Sequence, residues 1–233
     1  MGFQLMPLNE TDRANVLRYC DRDLEDKTQV ESLFDFIENS DLRSALVREY
    51  IAARYIYKLQ EALSVNNDKL AAHAKFQIVQ YASIYEAVIV HVLWNYFPTR
   101  PEVAKIEFFK SLRKVGPFQQ GLDIRTKEGV EVHPCIEVEV KNTQHSIKFE
   151  DKVNAAVEIG FIDENLGEEI KDIFKIRNGV HIENAVKNEI EYEIEQSQLA
   201  YWRIRPFTIG VRDFLSTGII SDAARPKTKT TPD

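Results

Sequence analysis

In the run KDIFKIRNGVHI, residues 171–182, an arginine and a histidine stand four positions apart, at Arg177 and His181. If the run is helical, that spacing turns them only about 40° from one another and separates them by about 6 Å along the axis. Both then face the same neighbour. A guanidinium grips a phosphate through two parallel N–H donors, and an imidazole moves protons near neutral pH. Asn178, beside Arg177, is placed to orient a base or an adjacent side chain. The chemistry such a pair supports is acid–base attack at a phosphate ester. The competing reading is a polar surface contact near a helix end.

Two further groups have the right chemistry. Glu86 lies in the apolar run ASIYEAVIVHVLW. A carboxylate there is costly unless paired, and Arg177 or His181 is a natural partner; a route to the surface or to another cation is the alternative. His91 lies about 140° round the same helix and faces elsewhere. Tyr201, Trp202, Arg203 and Arg205 set aromatics beside cations, a combination that stacks nucleobases. On a helix Tyr201 and Arg205 share a face and Trp202 turns inward, so core packing competes with binding. Other patterns are missing: there is no glycine-rich dinucleotide or phosphate loop, no zinc-protease or CxxC spacing and no nucleophile elbow. His133 and His145 flank a β segment without ligand spacing. Glu137 and Glu139 read as a solvated strand face, and EIEYEIEQ as a solvated helix face.

The elements that must hold these residues are mostly helical. A first helix is expected over 12–20 with Thr11 as its cap, and a short one in VESLFDFIEN. A long amphipathic helix starts at Ser40 or Asp41, with Leu42, Leu46, Tyr50, Ala53, Tyr57 and Leu63 at three- and four-residue steps. SVNND ends it. The run 69–97 is apolar nearly all round between Phe76 and Leu93, which marks a central, buried helix that Pro98 stops. PEVAKIEFFKSLRKVG reads as the next helix, with Pro101 in its first turn. Residues 117–141 change period: LDIRT, KEG and VEV form a hairpin, followed by CIEVEV, a small β insertion. Helices return with FEDKVNAAVEIGFI, ending near Gly160. A longer one starts at Asp163 with Leu166, Ile170, Ile173, Phe174 and Val180 as its stripe. A last helix covers about 186–216, with Pro206 expected to kink it.

Bulk properties limit the partners. The 233 residues suit one elaborated domain, and a net charge of −7 argues against broad wrapping of duplex DNA while leaving room for a locally basic groove. Cys20 and Cys135 fit a reducing compartment. No secretory leader and no membrane span is read in the sequence, which predicts a cytoplasmic protein with no membrane partner.

The run KFEDKVNAAVEIGFIDENLGEEIKDIFKIRNGVHI resembles the HEPN family (higher eukaryotes and prokaryotes nucleotide-binding): a helix, a short turn, and an apolar-periodic helix ending in Arg-Asn and then His. With the central helix, the resemblance covers roughly 70–97 and 148–216, about half the chain. Three residues separate Arg177 from His181, fewer than is usual there, and Glu183 stands where the family commonly has Tyr. Lys175 supplies a cation in the more usual register. The resemblance implies a mainly α, HEPN-like helical bundle at 66–220; the β insertion within it and an N-terminal helical extension at 1–65 lie outside the resemblance, and the polar, proline-containing tail at 221–233 is expected to be disordered. The same resemblance implies a metal-independent endoribonuclease without cofactor, of the toxin–antitoxin or antiviral-defence kind. His181 would be the general acid or base and Arg177 the stabiliser of the phosphorane, with Asn178 and Glu86 orienting them. Lys175, Tyr201 and Arg205 would contact RNA. It further implies a homodimer, with a cognate antitoxin or other protein partner. The rival reading is a catalytically silent HEPN-like module that binds a nucleotide or a protein.

Overall fold

The computed structural model describes residues 8–22, 24–115 and 125–222. It is mainly helical. In chain order the elements are α1 (Glu10–Asp21), α2 (Lys27–Glu31) running into a 3₁₀ turn (Ser32–Phe34), α3 (Ser40–Ala62), α4 (Asn67–Tyr96), α5 (Pro101–Glu107), β1 (Phe108–Lys114), β2 (Cys135–Lys141), α6 (Phe149–Ile159), α7 (Glu164–Asn178), α8 (Ile182–Lys187) and α9 (Ile194–Thr217). The two strands form one antiparallel ribbon.

α4 sets the arrangement. Its 30 residues include Ile78, Tyr81, Ala82, Ile84, Tyr85, Val88, Ile89, Val92 and Leu93, all buried. A helix with so little polar surface has to be enclosed, and α3, α6, α7 and α9 all pack on it. α4 is long and apolar enough to cross a membrane by length and composition, but here it is the core helix of a bundle. Val30, Phe34, Leu46 and Tyr50, from the first third of the chain, join the same core as Phe161, Ile170 and Phe207. Burying one such side chain stabilises by about 1.5–3 kcal/mol relative to leaving it in water.

One polar chain runs through this core. Gln77 is fully buried, its Nε2 donating to Gln60 Oε1 (2.9 Å) and its Oε1 accepting from Ser197 Oγ (2.7 Å). α4 is thereby keyed to α3 on one side and α9 on the other, with both ends of the amide satisfied. The Tyr85 hydroxyl donates to the Ala200 carbonyl (2.6 Å). Two cations at the bundle surface do similar work: Arg203 pairs with Glu169 of α7, and Arg212 with Asp35.

Several sequence expectations need correction. α1 is capped by Asn9, not Thr11, and α3 by Asn39, whose Oδ1 accepts from Asp41 N and Leu42 N. The helix begun at Pro101 stops at Glu107, and FFKSLRK is strand. The strand is won by pairing: Phe108–Lys114 lies in register with Lys141–Cys135, and pairing at this distance overrides a local helical pattern. The β insertion therefore begins at Phe108, ahead of 117. The KEG turn itself is present, with an Arg125–Glu131 bridge, Thr126 N donating to Val130 O (2.8 Å) and Gly129 at φ +82°. Most of the hairpin's expected first strand, in LDIRT, lies outside the described residues, as does the expected tail from 223 on. The single last helix is two. α8 ends at Lys187, Glu189 takes a left-handed φ of +50°, and a capping box between Glu193 and Gln196 starts α9 afresh. α9 then runs through Pro206 without interruption.

The α6–α7 pair carries the residues of interest, and its turn is tightly built. Gly160 ends α6 at φ +100°, and Asp163 Oδ1 accepts from Asn165 N (3.0 Å) to start α7. At Gly167, in the first turns of α7, a Cβ would come within 2.7 Å of Val157 Cγ2. Alanine would gain about 1 kcal/mol of helix propensity but incur about 1–3 kcal/mol of overpacking. Gly167→Ala is therefore expected to lower the stability measured by urea denaturation, and Gly167→Ala with Val157→Ala to recover most of that clash. A single substitution that stabilised the chain would contradict this packing.

Candidate functional site at the end of α7

The helix expected over 171–182 stops at Asn178. Arg177 is in its last turn, and His181 is the N-cap of α8, in extended conformation at φ −81°, ψ 119°. The two do not share a face of one helix. The physical reason sits between them. Gly179 is buried, and a Cβ there would meet the Tyr192 hydroxyl at 2.8 Å, the Ile176 carbonyl at 3.0 Å and Ile190 Cδ1 at 3.0 Å. The segment returning from α8 to α9 packs directly against this glycine and turns the chain aside.

The turn is fixed by its own hydrogen bonds. Gly179 N donates to Ile176 O (3.0 Å) and Val180 N to Arg177 O (3.1 Å), the tight closure common at a helix end. From α8, Asn184 Nδ2 donates to the Asn178 carbonyl (2.8 Å), while Ala185 N donates to His181 O (2.9 Å). Lys75 of α4 reaches across to the Val180 carbonyl (3.2 Å), with its ammonium also over the Tyr192 ring. These contacts satisfy α7's terminal carbonyls and place positive charge where the helix dipole favours it.

Side chains at this end are available. Arg177 is half-buried, its guanidinium 4.9 Å above the Phe174 ring and its Nη1 donating to Asn178 Oδ1 (3.2 Å). Phe174 in turn stacks on Phe149 of α6 at 4.0 Å, so the cation rests on a fixed aromatic pair. Among the described residues Arg177 has no carboxylate partner, and the exposed His181 ring makes no hydrogen bond. Lys175, also exposed, opens onto a groove of about 540 Å³ between the start of α6 and the end of α7. Lys148, Lys171 and Asn178 line it too, with Glu150, Glu168 and Asp172 as the opposing charges.

The remaining expected site residues lie elsewhere. Glu86 makes no hydrogen bond or ion pair with Arg177 or His181 among the described residues. Its charge acts instead on Lys152 of α6, which is only 3% exposed. Burial pushes the Lys152 ammonium below its ordinary range, and Glu86 opposes that shift. Arg205 is tied to Glu25 by an ion pair. Tyr201 packs against Tyr50, Tyr81 and Arg54 in the bundle, and it is Trp202 that turns outward, 49% exposed. The placement of α9 on α3 and α4 reverses the assignment made from spacing within α9 alone.

Sequence reading missed Lys75, Phe149, Phe174, Asn184 and Tyr192 as parts of this end of the molecule. Only Phe174 carried a usable signal, three residues before Arg177, where helical neighbours meet. No cluster of three metal-ligating side chains occurs among the described residues. Comparison with family models, curated proteins and solved structures gives no match to the chain.

The Glu86–Lys152 relation has a measurable consequence. Glu86→Gln removes a charge acting in favour of a buried ammonium and is expected to lower stability by about 1 kcal/mol, an effect that should vanish when Lys152 is already Met. A double-mutant cycle by chemical denaturation measures this coupling. Equal losses in the two backgrounds would assign Glu86 some other role.

Proposed function

We propose that the chain is a HEPN-like endoribonuclease whose reactive groups are Arg177 and His181. The observation that carries this reading is their presentation. A guanidinium braced on Phe174 and bonded to Asn178, with no carboxylate partner among the described residues, and an exposed imidazole with no ring hydrogen bond among them flank one turn locked by backbone and Asn184 hydrogen bonds. A phosphodiester held by Arg177 would lie at the turn that also carries the imidazole.

In this reading the ribose 2′-oxygen attacks the adjacent phosphorus. The new oxygen–phosphorus bond forms as the bond to the 5′-oxygen breaks, leaving a cyclic phosphate and a free 5′-hydroxyl. His181 takes the 2′-hydroxyl proton while water protonates the departing 5′-oxygen, or water accepts the first proton and His181 supplies the second. Arg177 stabilises the negative charge on the oxygens of the phosphorane, a contribution worth most when the donor is already in position. Asn178, bonded to the guanidinium, holds its orientation, and Lys175 with the neighbouring groove lysines draws the RNA strand. Glu86, Tyr201 and Arg205 take no part, since each is committed within the bundle. Two copies bringing their turns to one cleft would double the cationic groups facing RNA, and a cognate antitoxin or other protein partner would act by covering that cleft.

One observation favours the second reading, a silent HEPN-like module that binds a nucleotide or a protein. Gly179 places Arg177 and His181 on different elements, and Glu183 adds an acid beside the histidine.

The test is cleavage of a single-stranded RNA by the purified chain in EDTA. Cleavage that leaves cyclic phosphate ends, and that falls by about 10²–10⁴-fold in His181→Ala with a comparable loss in Arg177→Ala, is the expected result. Cleavage unchanged by either substitution would overturn it. No cleavage by the wild type in the presence of retained RNA or nucleotide binding would select the second reading.

A further inference from the structure

A second site lies on the other flank of α4. Three helices, α3, α4 and α9, leave between them a cavity of about 200 Å³, lined by Arg54, Tyr57, Gln77, Tyr81, Gln198 and Tyr201 among others. Arg54 is the single charged residue in that lining. Its guanidinium lies 4.1 Å from the Tyr201 ring centroid and 5.3 Å from that of Tyr57. Nε is buried with no partner, and Arg54 makes no hydrogen bond or ion pair among the described residues. A buried donor left unpaired costs about 1–3 kcal/mol, so the Nε of this half-buried arginine calls for an acceptor.

No nearby carboxylate among the described residues supplies one. Glu61, the acid whose charge interacts with Arg54, is held by Lys58 at 2.8 Å. Glu25 is taken by Tyr50 and Arg205. Gln77 has both amide atoms committed within the core. Gln198 Nε2 donates to the Tyr57 hydroxyl oxygen (3.1 Å), which leaves the Tyr57 proton to be donated onward. Burial pushes the Tyr81 hydroxyl well above its ordinary range, so it too remains a donor at neutral pH. The polar groups left over are thus mainly donors around one positive charge, set in aromatic walls.

We propose that this cavity is a binding site for a small carboxylate carried on a flat ring. The guanidinium, lying against the Tyr201 ring, offers its donors edge-on, and a planar carboxylate matches that fork with two parallel bonds. The tyrosines that line the cavity offer apolar ring surface for a flat body to lie against. The volume falls below that of pockets for drug-sized ligands, which fits a single ring and excludes a whole nucleotide. This site is independent of the proposed nuclease: none of its residues is in the Arg177–His181 turn.

Sodium benzoate is the probe, titrated into the full chain by calorimetry, with inorganic phosphate as the second arm. Saturable one-to-one binding is expected, together with a rise in Tm, since a ligand bound only by the folded state stabilises it. Arg54→Gln should weaken binding by about tenfold or more, and Tyr57→Phe, which keeps the ring and removes the donor, by a smaller factor. Arg177→Ala and His181→Ala should bind benzoate as the wild type does, whether or not RNA is cleaved. Circular dichroism checks that each variant folds; if Arg54→Gln does not, Arg54→Lys keeps the charge without the planar fork and should show the same loss. The proposal is overturned by absence of saturable benzoate binding to the wild type up to roughly 10 mM. It is equally overturned by undiminished binding in folded Arg54 and Tyr57 variants, or by phosphate binding more tightly than benzoate.

Discussion

Everything in this bundle follows from the need to enclose α4. Its middle turns present apolar side chains in nearly every direction, and its fully buried amide, Gln77, is answered from two sides. Satisfying both constraints fixes α3 and α9 against α4 in one register, because the Gln60–Gln77–Ser197 chain cannot form after a one-turn slip of either neighbour. Once those three helices are locked, α6 and α7 have the remaining face of α4 to cover, and the end of α7 is carried to Lys75. The two candidate sites are consequences of the same helix: one where α7 terminates beside it, the other where α3 and α9 fail to close over it.

The sequence made much of this readable and hid the decisive details. The apolar run around Tyr85 announced a buried helix, and the Asp163 cap with the Leu166–Ile170–Ile173 stripe announced α7. The stop at Asn178 was hidden because a lone glycine in a helix costs only about 1 kcal/mol and says nothing of itself. What ends α7 is the approach of Tyr192 and Ile190 to Gly179, contacts that arise only when the chain has folded back. Phe108–Lys114 was misread for a similar reason: its partner strand begins more than twenty residues later. Arg54 was simply one cation on an amphipathic helix. Its isolation depends on which acids its neighbours consume, and that is decided by packing among three helices.

Charge placement separates structural cations from available ones. Arg203, Arg205 and Arg212 along α9 each meet a carboxylate outside that helix, and they work as fasteners between α9 and its surroundings. Arg177 and Arg54 instead lie on aromatic rings. An aromatic face steadies a guanidinium without neutralising it, so the charge remains free to meet a ligand. In a chain with a net charge of −7, cations kept unneutralised in this way stand out against the general background.

α8 has six residues and none of them is buried. Its attachment consists of Asn184 on the Asn178 carbonyl and the few bonds of the turn, with Ile182 and Val186 left facing solvent. A segment so lightly anchored opens at a free energy well below that of global unfolding. Opening it would carry His181 away from Arg177 while leaving the α3–α4–α9 core untouched. The distance between the two groups is therefore governed by a local folding equilibrium, and amide exchange in 180–187 would report the assembly of the site separately from the stability of the bundle.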